Sequence, residues 1–225
     1  DFAAWLRPAT GPDLQRIAHV DLDYVYDADP VQQESNLGRL LDRIKALGVG
    51  TVYLQAFADP DANGAADALY FPTRHLPIKA DLFNRVAWQL RTRAGVKVYA
   101  WMPVLAFELP EGHAPVGRTI TAPGAEPGYP RLSLFDPAAR QVIREIYEDL
   151  AKNAPVAGVL YHDDAMLSDY EDASPAAQEV YARDWGLTQA VDVLRSDPAL
   201  REKWMRHKTQ APTGSNAQGW QFLFV

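Results

Sequence analysis

The run Tyr161-His162-Asp163-Asp164 puts an imidazole and two carboxyl groups side by side at the end of an apolar segment, GVLYHDDA. A carboxyl group held beside aromatic or apolar walls has its pKa raised, because burial penalises the charged form, and it can then act as a general acid near neutral pH. Glycoside hydrolysis asks for this kind of acid, usually paired with a second carboxylate. On a strand, Asp163 and Asp164 face opposite ways, so one faces a binding mouth while the other supports it. Other segments supply similar groups: Asp21 and Asp23 in HVDLDYVYD, Gln55 and then Asp59 after TVYL, and Trp101 in VYAWMPVL. Aromatic faces such as Trp101 and Tyr24 suit stacking on sugar rings. The structural alternatives are plain. Asp163 and Asp164 can serve as turn formers or caps, Asp21 and Asp23 as acceptors for loop amides, His19 as a satisfied core histidine, and Trp101, Tyr24 and Tyr26 as core. Trp88, inside a helical pattern, reads as packing.

Several other chemistries lack local support. The five histidines, at 19, 75, 113, 162 and 207, never form a His-x3-His pair, so no metal site is expected from spacing. With no cysteine there is no disulfide, thiolate nucleophile or Cys-ligated zinc. Gly-x-Gly-x-x-Gly, Walker and Gly-x-Ser-x-Gly patterns are missing from the sequence, so no cofactor is expected. The chain carries 22 Lys plus Arg against 29 Asp plus Glu, a net charge of −7. An acidic chain without a basic run is a poor phosphate tracker, which argues against nucleic acid as a partner. No apolar run is long enough to span a bilayer, and the start DFAAWLRPATGPDLQ lacks a signal-peptide pattern. Starting at an Asp, the chain reads as a piece of a longer precursor.

The elements that must position these residues alternate strand and helix. Ile17 to Tyr26 reads as a strand, followed by a helix whose stripe is Leu37, Leu40, Leu41, Ile44 and Leu47, with Gly48 at its left-handed end. Thr51 to Phe57 is a second strand. Asp81 is the expected N-cap of a helix carrying Leu82, Phe83, Val86 and Leu90, ending near Gly95 before the strand Lys97 to Leu105. Asp136 and Pro137 open a third helix with Val142, Ile143, Ile146, Tyr147 and Leu150 on one face, and Gly158 opens the fourth strand. Serial strand-helix units imply parallel strands, hence an α/β sheet or barrel.

Successive units occupy about 34, 46 and 61 residues, so eight would need far more than 225. The expected architecture is therefore the first half of a TIM-type (β/α)8 barrel with long βα loops, notably 58–80 and 106–131, which in such a barrel build the active face. The barrel portion is assigned to 1–208. Residues 209–225 form an atypical tail: Thr209 to Gly219 is linker-like, and WQFLFV is apolar with strand composition.

HVDLDYVYD, TVYLQAFADPD, FPTRHLPIKADLFNRVAWQLRTR, VYAWMPVL and YHDDAMLSDYEDAS resemble, in order, the C-terminal glycoside-hydrolase domain of the poly-β-1,6-N-acetyl-D-glucosamine deacetylases of Gram-negative biofilm systems. The resemblance implies a (β/α)-barrel-like module that binds and cleaves partially deacetylated β-1,6-glucosamine polymer during export. It also implies a periplasmic location, outer-membrane associated through a parent protein whose separate N-terminal domain carries the metal-dependent deacetylase chemistry. The family's catalytic carboxylate falls in His-Asp-Asp, here His162, Asp163 and Asp164, with Asp163 as the acid and Asp164 tuning or positioning it. His162, Asp21, Asp23, Tyr24, Trp101 and Tyr129 are carried over as groove residues by strand-end position. Two alternatives remain: a non-catalytic glycan-binding module guiding the polymer, and a metal-dependent polysaccharide deacetylase. An acidic groove would attract an ammonium sugar, so the charge agrees with the resemblance.

Overall fold

A computed structural model of the chain describes residues 16–111, 113, 116–121, 130–167, 171–186 and 199. Tyr129, most of the initial segment and the tail 209–225 lie outside the described residues. The structure divides into two units, the first drawing on Asp1–Pro115, Tyr129–Arg131 and Arg140–Ala165 and the second on Val116–Gly128, Leu132–Ala139 and Met166–Val225.

The first unit is built on a parallel sheet. Strands β1 (Ile17–Val20), β2 (Thr51–Gln55), β5 (Lys97–Met102) and β6 (Gly158–Tyr161) lie in the order β1-β2-β5-β6, each pair parallel. Between β2 and β5 the short antiparallel pair β3 (Phe57–Ala58) and β4 (Ala68–Leu69) forms a separate hairpin. Helices α1 (Pro30–Leu47), α2 (Phe83–Arg93) and α3 (Pro137–Asn153) follow β1, β4 and β5 in the chain. The alternation gives an α/β architecture, with four parallel strands in the main sheet among the described residues.

Side-chain alternation splits the sheet into two faces. Val52, Leu54, Val98, Ala100 and Met102 are fully buried. α1 buries Leu37, Leu41 and Ile44, α2 buries Phe83, Val86, Ala87 and Leu90, and α3 buries Val142, Ile146 and Leu150. Each such aliphatic side chain stabilises the fold by about 1.5–3 kcal/mol relative to exposure. The opposite face is aromatic and only partly covered. In one row His19, Tyr53 and Tyr99 are aligned across β1, β2 and β5, with ring centroids 5.0 and 5.7 Å apart and edges to faces. Gly158 ends that row on β6, and a Cβ there would meet Tyr99 Cε1 at 2.8 Å, so glycine makes room for the ring.

The caps follow sequence chemistry with one exception. Asp29 accepts a bond from the Val31 amide at the start of α1, and Gly48 ends that helix at φ 59°. Asp136 accepts from the Ala138 amide and opens α3 at Pro137. Asp81 does not cap α2. The flanking residue is Leu82, which is buried and makes no side-chain capping bond, so burial of Leu82 and Phe83 sets that helix start.

Three further expectations need correction. β1 ends at Val20, not near Tyr26: Asp21 accepts from the Asp23 amide and starts a 3-10 turn, Leu22–Tyr24. Leu22 and Val25, three apart, are both buried, a spacing a turn satisfies and an alternating strand cannot. Trp88 is 57% exposed rather than packed, because α2 turns its other face to the core. Asp163 and Asp164 sit not on the strand but on a 3-10 turn, Asp163–Ala165, just beyond it.

In the second unit, α4 (Pro175–Trp185) is capped by Ser174, whose side chain accepts from the Ala177 amide. Asp172 is buried and accepts from Ser133 Oγ at 2.5 Å and from the amides of Ile120 and Ser174. Tyr181 Oη donates to the Asp172 carbonyl, and Phe135 packs edge-on against the Tyr181 ring.

Candidate functional site

The site is assembled at the carboxyl ends of β1, β5 and β6, where parallel α/β sheets gather their chemistry. Trp101, near the end of β5, is flanked edge-on by His19 at 5.5 Å and Phe57 at 5.9 Å, and it stacks on the His162 ring at 5.7 Å and 18°. His162 follows β6 directly, and its amide donates to the Met102 carbonyl at 2.9 Å, which continues the β5–β6 pairing and holds the stack. His162 Nδ1 lies 2.9 Å from Asp163 Oδ1, and the Asp163 side chain is 76% exposed.

Asp164 has the opposite environment. Fully buried, it accepts from three successive amides: Val104 at 2.9 and 3.0 Å, Leu105 at 2.6 Å and Ala106 at 2.6 Å. An ionised carboxylate is acceptor-only, and consecutive amides make a cradle for an anion. Asp164 thus pins the loop after β5 to the turn after β6. Two more residues fix the same corner: Tyr147 Oη on α3 donates to the Pro103 carbonyl at 2.6 Å, and buried Arg131 donates to the Asp164 carbonyl at 3.1 Å. Burial holds the Tyr147 hydroxyl well above its ordinary pKa, with the charges of Tyr161 and Asp164 adding to it. Tyr147 remains a neutral donor.

At the end of β1, burial raises the Asp21 carboxyl above its ordinary value of 3.8, and the charge of Asp23 pushes the same way against the bond from the Asp23 amide. Asp23 is exposed and accepts from Tyr70 Oη. Tyr70 is itself fully buried and pushed far up by burial and by its bond to Asp23. Tyr24 is 84% exposed, so it is not core.

The structure therefore brings Trp101, His162, Asp163 and Asp164 into one contact chain, with His19 against Trp101. Asp21 and Asp23 form a second group around the turn after β1. Sequence reasoning missed Tyr70, Arg131 and Tyr147, whose roles depend on contacts 33 to 47 residues away along the chain. It also missed a cluster of oxygen donors in the β3–β4 hairpin: one carboxylate oxygen each of Asp59, Asp61 and Asp67 lies within 4.8 Å of the others. The spacing Asp-x-Asp-x-Asn-Gly, read off 59–64, was the available signal.

The chain is 47% identical over 218 residues to the poly-beta-1,6-N-acetyl-D-glucosamine N-deacetylases of Escherichia coli K12 and O157:H7. The match takes in 95% of the chain and 32% of each relative, so the chain spans about a third of their length. Among solved structures, the PgaB (BpsB) glycoside hydrolase domain from Bordetella bronchiseptica is similar at a TM-score of 0.72 and 54% identity, covering 86% of this chain and 56% of that one. That likeness places the described α/β sheet in a TIM-barrel-like fold. Residues 19–216 match the family described as hypothetical glycosyl hydrolase family 13, GHL13, and the chain belongs to that family.

Proposed function

We propose that the chain is the glycoside hydrolase portion of a longer poly-β-1,6-N-acetyl-D-glucosamine deacetylase, binding and cleaving the partially de-N-acetylated polymer in the periplasm. The observation that carries this reading is the Trp101–His162–Asp163 strip: an exposed carboxyl group fixed beside an imidazole that stacks on an indole. In this reading the indole face takes a sugar ring, Asp163 protonates the glycosidic oxygen, and His162 orients that carboxyl group. Asp164 acts through position alone, since its oxygens are engaged by three amides. Asp21, Asp23 and Tyr24 at the end of β1 are assigned to the glucosamine amines and ring faces, and Tyr129 to the groove.

Incubating the chain with partially de-N-acetylated polymer and sizing the products by mass spectrometry tests the reading. Shorter oligosaccharides are expected, and Asp163→Asn should slow their formation by roughly 10²–10⁴-fold, the usual contribution of a general acid. Polymer that binds but stays intact would instead make the strip a guiding surface. Acetate release abolished by a chelator would point to deacetylation.

A further inference from the structure

We infer that Tyr70 is a positioning residue: its hydroxyl holds the Asp23 carboxylate in the orientation that selects the ammonium group of a deacetylated sugar over a neutral acetamide. This role rests on the polymer-binding reading given above and names the determinant that tells glucosamine from its acetylated form. Tyr70 directly follows β4 and is fully buried, so its ring is not itself a surface for a ligand. Its one polar side-chain atom, Oη, donates to Asp23 Oδ1, 47 residues earlier in the chain.

The two partners differ in freedom. Asp23 is exposed on the 3-10 turn after β1, next to the exposed Tyr24 and two residues from Asp21. Among the described residues no other hydrogen bond reaches its carboxylate, which leaves Oδ2 open to a ligand. Tyr70 is fixed at both of its backbone groups: its amide donates to the Ala56 carbonyl at 2.9 Å, and its carbonyl accepts from the amides of Leu82 at 3.1 Å and Phe83 at 2.8 Å. Those bonds tie it to the segment after β2 and to the start of α2, so an acid on a surface turn is anchored to the core of the first unit. Burial, and then the bond to Asp23, hold the Tyr70 hydroxyl far above its ordinary pKa. It stays protonated, and so remains a donor, across the neutral range.

Amine and acetamide differ in what they gain from such an acid. An ammonium group gains a charge-assisted hydrogen bond and Coulomb attraction, whereas an acetamide offers one neutral N–H. Pairs of exposed charges contribute little when both side chains must first be ordered. Tyr70 removes part of that cost, because Asp23 is already bonded to an immobile donor before a sugar arrives. Phenylalanine would fill the same core volume with no polar atom to satisfy, so the hydroxyl is accounted for by its hold on Asp23.

Calorimetric titration with a β-1,6-linked glucosamine oligosaccharide and with its fully N-acetylated counterpart tests the role. Tyr70→Phe should weaken binding of the amino form about tenfold, the scale of a hydrogen bond to a charged group, and change binding of the acetylated form by less than about twofold. Asp23→Asn loses the charge but keeps an acceptor for Tyr70. In that background Tyr70→Phe should change binding by less than about twofold, because the group it positions no longer pairs with an amine. Equal losses in both backgrounds, or for both sugars, would make Tyr70 a structural residue and overturn the role. A measurement on the unmodified chain needs no variant: with tyrosines ¹³C-labelled at Cζ, the Tyr70 resonance should move on adding the amino form and stay in place with the acetylated one. A Tyr70 signal that ignores both while the amino form binds overturns the role. A wild-type chain that binds neither sugar sinks the polymer reading and the Tyr70 role with it, whereas a chain that binds the amino form and loses nothing from Tyr70→Phe sinks the Tyr70 role alone.

Discussion

Adjacent carboxyl groups with identical chemistry have opposite surroundings, Asp163 exposed and Asp164 fully buried. Asp164 satisfies three buried amides, so Asp164→Ala should lower the unfolding free energy by about 3 kcal/mol or more, as seen in a urea titration, because three donors then lose their acceptor. Asp163→Asn, on an exposed side chain, should leave the urea midpoint unchanged while slowing the proposed cleavage by roughly 10²–10⁴-fold. Asp21 allows a pH test. Its folded-state pKa is raised by burial, so the folded chain binds a proton there that the unfolded chain releases just above 3.8. Stability from this group therefore falls as pH rises from 3.8 through the raised value and stays at its minimum above it. Asp21→Asn keeps an acceptor for the Asp23 amide and removes that slope. The stability difference between variant and wild type, measured by urea titration at steps from pH 3 to 7, should shift in favour of the variant as pH rises. The pairing of Asp163 with His162 was readable from adjacency alone. The burial of Asp164 was not, because its partners lie 58 to 60 residues earlier.

Elements here are set by burial first and by local caps second. α1 followed its apolar stripe as far as Ile44 and ended at Gly48, with Leu47 left 57% exposed, and α3 followed its stripe and its capping Asp136. α2 shows what happens when burial and caps compete: Leu82 and Phe83 enter the core and Asp81 is left without a capping role. The same competition shortened β1, where Leu22 and Val25 are buried on turn spacing while the pattern suggested an extended strand. Packing between strands also explains Gly158. Gly158→Ala would drive a Cβ into the Tyr99 ring at 2.8 Å and should destabilise the fold by about 1–3 kcal/mol, the usual cost of overpacking. Thermal denaturation monitored by far-UV circular dichroism checks it, and Tyr99→Ala in the same chain should recover part of the loss.

At the scale of the molecule, the net charge of −7 bears on the proposed binding of a cationic polymer. In the proposed reading the carboxylates at the end of β1 and after β6 would meet a polymer whose deacetylated units are cationic, so raising NaCl from 50 to 500 mM should weaken binding of that polymer, read by calorimetry. Fully acetylated polymer, which is neutral, should show little salt dependence. Unit spacing predicts a half barrel, and the described residues form one sheet of four parallel strands. By itself the sequence determined the strand-helix order, the family and the residue types at the strand ends, because periodicity, caps and adjacency are local in the chain. Tertiary structure alone decided which carboxylate is exposed and which is an anchor, and it brought Glu108 against Asn63 of the hairpin. Those outcomes depend on solvent exclusion and on contacts between segments tens of residues apart, which no local pattern encodes.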